Sequence, residues 1–486
     1  MNSTPRHRLW VAGSWHESAA PREIRSPSTG EVVALCDEAD DARMEMALAA
    51  AKEAFPRFKA ISRYTRSRLL AAMAAEIDRR RKELVDAITD EAGKPVGLAD
   101  GEVSRAITTF TVGSEEAKRY GGELFPVDID AAGRAYDPGI SMVTPRGPVL
   151  AITPFNFPLN LVAHKVAPAL AVGAPVLVKP APQAPGATRL LAEIFAKAAA
   201  EVSDARDAIP LAALQTVSAP NEVAAIAVRD PRIATLSFTG SAPVGWNLQA
   251  MARGKKVILE LGGNGAVIVH GDADLARAAA RSAFGAFAYA GQVCISVQNI
   301  FVQEPVYERF KALLLDEVKK VKWGDPRAEG TLSGPLIDER SIQRVLEWIE
   351  EAKAAGARVL VGGTRDGRTV VPTVLEGVPA TAKLSCEEAF GPVALLAPYG
   401  EVSEAIDSVN RSRYGLQAGV FTDSRRVVGQ VVEGLDVGGI LINEVPTYRA
   451  DHMPYGGVKE SGLGREGVRY AMQEYSDLKT VVAWRG

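Results

Sequence analysis

Hydrophobic positions along the chain change their period part-way. From Asp40 to Phe55 and from Ser62 to Ala92, apolar residues recur at i, i+3 and i+4 among alanines and charges, the spacing of an amphipathic helix. Pro56 is expected to end the first helix, and Gly93, with Pro95 just beyond it, the second. A further helix is expected from about Gly101 to Arg119, stopping at Gly121-Gly122. From Met142 onward, short β-rich runs (VLAIT, PVLVK, LQTVS, IATLSF) alternate with helix-like segments over residues 160–171, 187–201 and 221–228. Such alternation predicts βαβ units and a parallel sheet, hence an α/β protein. A second alternating block is expected to open at KVILEL and to continue through GAVIVH, NIFVQ, RVLVGG, VALLAP, GVFT and GILINE, with a boundary near Gly254. LKTVVAW, near the C-terminus, reads as one more strand, and no internal repeat or low-complexity tract is visible.

At 486 residues the chain exceeds what one core can organise, so roughly two to four domains are expected. Hydrophobic content of 47% and charged content of 24% are ordinary for a soluble globular enzyme. A net charge of −3 offers no basic excess, so neither nucleic acid nor an anionic membrane is an expected partner. The opening MNSTPRHRLWVAGSW lacks the apolar stretch of a secretory signal, and no apolar run reaches membrane-spanning length. Cys36, Cys294 and Cys386 are the three cysteines, without CxxC spacing, so neither a disulfide framework nor a metal site is expected. A cytoplasmic protein of a reducing compartment follows as the expectation.

Four stretches carry candidate chemistry. In AGQVCIS, Gly291-Gln292 breaks the apolar run just before Cys294, an odd setting for an inert core thiol. In IATLSFTGSAPVGW a strand leads through Gly240 and Ser241 into a helix. Ser241 suits the N-cap, Pro243 the first turn, Gly240 a close backbone approach and Gly245 tight helix–sheet contact. Such a helix N-terminus can bind a pyrophosphate; a plain tight βα turn is the competing reading. In ITPFNFPLN, Asn156 stands between two phenylalanines and two prolines, either stapling a loop or donating to a developing oxyanion. In VILELGG, Glu260 closes an apolar strand, where desolvation would raise its pKa toward that of a general base; a strand-end carboxylate facing solvent is the alternative. A literal dinucleotide fingerprint, Gly462-Leu-Gly464-Arg-Glu-Gly467, follows no apolar strand and is read as a surface loop without that function.

Taken in order, PFNFP, VLVKP, FTGSAPVG, LELGG, GQVC, EEAFGP and PYGGVKESGLG resemble the motifs of the NAD(P)-dependent aldehyde dehydrogenase superfamily, over nearly the whole chain from Trp10 to Val482. The resemblance implies the α/β aldehyde dehydrogenase fold, a Rossmann-like cofactor domain with an α/β catalytic domain and a small β bridging element. Its cofactor domain would comprise residues 1–121 and 144–254, its catalytic domain 255–450. A bridging element from 122–143 and 477–486 would pair with another subunit, and 451–476 would return to the cofactor domain. It implies Cys294 as nucleophile, Asn156 and the Cys294 N–H as oxyanion donors, and Glu260 as activator of the water that hydrolyses the thioester. NAD or NADP would be held by Lys179, Gly240, Ser241, Glu388, Phe390, Pro154 and Phe155, and a homodimer or homotetramer is the expected assembly. Pro182 stands three residues after Lys179, where many NAD-preferring members carry a glutamate, so the resemblance leaves the choice between NAD and NADP open.

Arg105 matches a position that contacts anionic or hydroxylated substrates in some members, although a solvent-facing helix arginine explains it equally. Val293 occupies the place of an arginine common in members acting on phosphorylated aldehydes. GQVCIS and YRADHMPYGGVKESGLGREGV look most like the lactaldehyde/glyceraldehyde branch, with Arg449 and His452 as candidates at the entrance. A short hydroxylated or carboxylated aldehyde is therefore the expected substrate. Three other readings remain: a CoA-acylating dehydrogenase, which typically lacks the glutamate at Glu260; a cysteine hydrolase using one of the 5 histidines; and a non-catalytic descendant of the fold.

Overall fold

The structure, a computed structural model, describes residues 4–485. Its first layer is an eight-stranded sheet in the order Gly462–Leu463, Lys256–Glu260, Thr235–Thr239, Val149–Ile152, Val176–Lys179, Leu214–Thr216, Leu9–Val11, Ser14–His16. The five strands from Lys256–Glu260 to Leu214–Thr216 run parallel; both margins are antiparallel. Val149–Ile152 and Val176–Lys179 are buried along their whole length, which is why they read as continuous apolar runs rather than as alternation. Helices Arg63–Arg79, Val96–Arg119, Asn160–Val172 and Gly186–Val202 cover one face; Asp41–Ala60, Asn221–Arg229 and Ala242–Met251 cover the other.

A second sheet of seven strands follows, in the order Arg358–Val361, Thr373–Glu376, Val393–Tyr399, Val297–Gln303, Gly265–Val269, Gln417–Phe421, Gly439–Ile442. All its neighbours are parallel except Arg358–Val361 against Thr373–Glu376. Leu275–Phe287 and Tyr307–Lys319 pack on one side, Val402–Asn410 and Arg425–Gly434 on the other. A third, antiparallel sheet joins Leu124–Phe125 and Gly139–Pro145 to the C-terminal strand Ser476–Val481, with Leu124, Ile140, Met142 and Leu478 exposed. Among the described residues no helix is long and apolar enough to cross a membrane.

Several boundaries differ from the sequence reading, each for a physical reason. The strand KVILE belongs to the first sheet, five residues in register with Thr235–Thr239, so the change of sheet falls after Glu260 rather than at Gly254. The first helix runs Asp41–Ala60 straight through Pro56. Pro56 and Lys52, whose carbonyl loses its partner there, both face solvent, while Ala54 and Phe58 keep the buried stripe continuous. The stretch Ser62–Ala92 is two helices broken at Arg80, whose guanidinium reaches Glu193 at 2.8 Å; the amphipathic period survives the break and conceals it. The next helix begins at Val96, directly after Pro95, a turn earlier than expected. Gly93 does cap the preceding helix, left-handed at φ 64° with its N–H on Thr89 O.

Because the Pro56 ring sits on an exposed helix face, Pro56→Ala restores a hydrogen bond without disturbing the core. It is expected to stabilise the protein by about 1–3 kcal/mol, read as a shift of the first unfolding transition to higher urea.

Candidate active site

Cys294 follows a turn in which Tyr289, Ala290 and Gly291 are all left-handed, at φ 54°, 53° and 67°. For a tyrosine and an alanine this costs on the order of 1–2 kcal/mol each, so the turn persists only where its surroundings over-determine it. They do. The Tyr289 hydroxyl donates to Ala92 O at 2.9 Å and its N–H to Leu332 O at 2.8 Å. The buried Gln292 amide donates to Pro335 O and accepts from the Ile337 N–H, at 3.2 and 2.9 Å. A Cβ at Gly291 would collide with Gly391 O, so only glycine fits.

Asn156 is brought to this turn by the loop after Val149–Ile152. Its Nδ2 donates to Gln292 O at 2.9 Å, and its Oδ1 has no partner among the described residues. The amide carries a second N–H, so stapling the loop and donating to a ligand are compatible roles.

The half-buried Cys294 Sγ lies 3.2 Å from the Tyr455 hydroxyl. Burial pushes the thiol up to about 12; the Tyr455 hydroxyl pulls it down, and the carboxyls of Glu388 and Glu260 push it further up. Without a ligand, Cys294 is therefore a neutral thiol at pH 7, and it could serve as a nucleophile only once a base had taken its proton.

Glu260 ends its strand buried, and neither carboxyl oxygen has a hydrogen-bond partner among the described residues. Burial first, then the neighbouring Glu466 charge, raises its pKa well above the ordinary carboxylate value, while Arg449 and Lys165 oppose the rise. Glu466 is the ionised member of the pair. It binds Lys165 Nζ at 2.7 Å and Arg449 at 3.2 Å, which hold it down at about 2 against its own burial. Lys165 also reaches Ser237 Oγ at 3.1 Å. Arg449 donates to His164 Nδ1 at 3.2 Å and lies over the Tyr455 ring, 3.7 Å from its centre. Burial, reinforced by the Arg449 charge, lowers His164 to about 4, so the ring is neutral and its Nε2–H donates to Asp451 at 2.9 Å.

The sequence reading missed this buried group. Lys165 and His164, in the otherwise apolar helix Asn160–Val172, were its visible signal. Gly462–Leu463 is an edge strand beside Glu260 rather than a surface loop, and the same segment delivers Glu466. Its fingerprint-like spacing serves chain reversal: Gly467 is left-handed at φ 92°, where a Cβ would strike Met453 O. Arg105 is one-third exposed and turned onto Asp451 at 2.8 Å, and His452 is exposed.

Lys179, Pro154, Phe155, Gly240 and Ser241 lie at or just past the carboxyl ends of the parallel strands, the usual ligand crevice of such sheets, while Glu388 and Phe390 come from the loop before Val393–Tyr399. Gly240 N–H bonds Glu260 O at 3.0 Å, and a Cβ on Gly240 would press on the Phe238 ring at 2.5 Å. Ser241 is the N-cap of Ala242–Met251, with Pro243 in the first turn, but its side chain makes no cap bond. Its hydroxyl is exposed and free. Buried Thr153 Oγ1 and Thr239 Oγ1, at the ends of neighbouring strands, lack partners among the described residues. Burial depresses the pKa of Lys179, which ends its strand, with Glu38 opposing and Arg22 reinforcing the shift. Arg22 bridges Glu38 at 2.8 Å and the Pro182 carbonyl at 2.7 Å. Glu388 accepts from the Gly263 N–H at 3.1 Å and is raised by burial to about 7. Phe390, left-handed at φ 44°, meets Phe155 edge-on, centroids 6.0 Å apart, and Pro154 directly precedes Phe155. These hydroxyls, the helix N-terminus at Ser241 and the strand-end lysine suit a phosphate-bearing dinucleotide.

The aldehyde dehydrogenase family profile matches residues 15–481. The chain belongs to the aldehyde dehydrogenase family. A 3-sulfolactaldehyde dehydrogenase of Priestia aryabhattai is 38% identical over 483 residues, covering 99% of each chain. A lactaldehyde dehydrogenase of Methanococcus aeolicus is 35% identical over 98% of this aldehyde dehydrogenase and 99% of that one. Aldehyde dehydrogenase 21 of Physcomitrella patens, solved with the reaction product succinate, superposes with a TM-score of 0.95 at 39% identity, covering 100% of this chain and 99% of that one. The family fold expected from the motifs is the observed one, and the relatives place the chain among dehydrogenases of small aldehydes.

Glu260 gives the dehydrogenase a testable pH signature. Its raised pKa means that the folded state binds a proton the unfolded chain has released, so its contribution is fully present below about 4.5 and is lost as pH rises toward the folded value. Glu260→Gln removes that loss. The variant is expected to gain thermal stability over the wild type at pH 8 and not at pH 4, measured by differential scanning calorimetry.

Proposed function

We propose that the protein oxidises a small aldehyde to its carboxylic acid through covalent capture on Cys294. The juxtaposition that carries this reading is a half-buried thiol at 3.2 Å from Tyr455 OH, within the electrostatic influence of a buried carboxyl group, Glu260, that has no partner among the described residues and a raised pKa. Glu260, once ionised, accepts the Cys294 proton, and the thiolate attacks the aldehyde carbon to form a thiohemiacetal. The Asn156 amide and the Cys294 N–H stabilise the oxyanion. A bound nicotinamide cofactor supplies the acceptor for the hydride whose loss converts the thiohemiacetal into a thioester. Glu260, after releasing that first proton to solvent, takes a proton from water as the water oxygen adds to the thioester carbon; collapse of the adduct releases the acid and the proton returns to sulfur. Lys165, Arg449 and Arg105 set three positive charges against the two of Glu466 and Asp451, so the cluster balances when Glu260 is ionised and is left cationic when Glu260 carries a proton. That surplus offsets the thiolate formed in the same transfer.

The relatives' names and the cationic balance around Arg449 support a short aldehyde bearing a hydroxyl or an anionic group. The cofactor is NAD or NADP. Arg22 and Lys179 together outnumber Glu38 beside Pro182, which favours a 2′-phosphate there. The exposed apolar residues of the antiparallel sheet, Leu124, Ile140, Met142 and Leu478, supply a surface for a second copy.

Three outcomes test the reading. Reduced nicotinamide absorbance should rise with lactaldehyde, succinic semialdehyde or sulfolactaldehyde and vanish in Cys294→Ser; a requirement for CoA would transfer the thioester's fate away from Glu260. In Glu260→Gln, thiol activation and hydrolysis both lose their base, so turnover should fall at least about 100-fold and rapid mixing should show no fast burst of reduced cofactor. Arg22→Ala should raise the KM for NADP by about tenfold and leave that for NAD within twofold, which is about 1.4 kcal/mol of phosphate recognition.

A further inference from the structure

Lys94 lies between the helices Arg81–Ala92 and Val96–Arg119, and its side chain is 1% exposed. The mechanism above makes no use of it. Its ammonium stands 3.5 Å from the centre of the Phe157 ring and 4.7 Å from that of Tyr289, so one cation sits between two aromatic rings. It is paired with the equally buried Glu102 Oε2. The other oxygen of Glu102 accepts the N–H groups of Leu159 and Asn160, at 2.8 and 3.0 Å, and thereby closes the start of the next helix.

Phe157 follows Asn156, and Tyr289 opens the left-handed turn that leads to Cys294. The two segments meet again where Asn156 Nδ2 donates to Gln292 O. Lys94 and Glu102 therefore join the two loops that carry Asn156 and Cys294. A buried ion pair returns little net stability compared with an apolar pair of the same size, so stability alone accounts poorly for placing one here. A strained turn that must hold a nucleophile to a fraction of an ångström does account for it, because misplacement by about 1 Å can cost about 100-fold in rate.

We propose that Lys94 is a positioning residue for the dehydrogenase reaction: clamped by Phe157 and Tyr289 and paired with Glu102, it fixes the Asn156 loop against the Cys294 turn. The proposal rests on the covalent role given to Cys294, and its test includes a readout that needs no turnover.

The double variant Lys94→Met/Glu102→Gln removes both charges together, and the glutamine keeps an oxygen for the Leu159 and Asn160 N–H groups. Thermal unfolding should stay within a few degrees of wild type, and cofactor affinity, read by fluorescence titration, should be unchanged. Turnover per titrated active site should fall by about tenfold or more, with KM for the aldehyde moving less than about threefold. Alkylation of Cys294 by iodoacetamide, followed by peptide mass spectrometry, should meanwhile become at least about threefold faster as the turn relaxes and exposes the thiol. Turnover per site within twofold of wild type would overturn the proposal. So would a loss explained wholly by fewer competent sites, because the pair would then be structural only. If the double variant does not fold, Phe157→Leu removes one wall of the clamp and leaves the ion pair; the same slowed turnover with faster alkylation is expected, and unchanged values of both would overturn the proposal. An inactive wild type with Cys294 alkylation altered as described would count against the dehydrogenase mechanism and not against the clamp.

Discussion

The site depends on the ion pairs of Glu466 with Lys165 and Arg449, all three almost fully buried. Burying one of these groups alone would cost several kcal/mol, so each is held in place by the others. The pairing has a geometric result. It joins the helix Asn160–Val172, the loop that carries Arg449 and Tyr455, and the return segment after Gly462 at one point behind Cys294 and Glu260. It also divides two neighbouring carboxyls electrostatically: Glu466 takes the cations and stays ionised, and Glu260, left without a partner, is pushed toward its protonated form. A carboxyl that can alternate between proton acceptor and donor follows from the salt bridge beside it.

Much of this architecture was legible in the chain. The buried parallel strands announced themselves as apolar runs, and Gly240 and Gly245 marked close approaches that the structure contains. Other features were hidden because they arise from pairing distant segments. Nothing local to Glu466 says that Lys165, 301 residues away, will meet it. Pro56 read as a stop because its ring forbids one hydrogen bond, yet the tertiary packing of Ala54 and Phe58 outweighs that bond when the orphaned carbonyl faces water. The break at Arg80 left no trace because an amphipathic stripe can bend without losing its phase. Ser241 shows the converse: residue type and position were both right, and the expected cap bond is still absent.

Cofactor crevice and reacting site are mechanically continuous. The turn at Gly240 is bonded to Glu260 through its backbone N–H, and Glu388 holds Gly263, three residues beyond Glu260. The strand end that carries the base is thus tied on both sides to the elements that would bracket a dinucleotide.

The protonated state of Cys294 has a consequence for the enzyme's survival between turnovers. Peroxide and adventitious electrophiles react with thiolates far faster than with thiols, and the damage beyond the sulfenic stage is permanent. A sulfur kept near 12 by its surroundings is chemically quiet in the resting protein, whatever the exposure of the entrance. Here the same desolvation that makes the nucleophile wait for its base also works as an antioxidant.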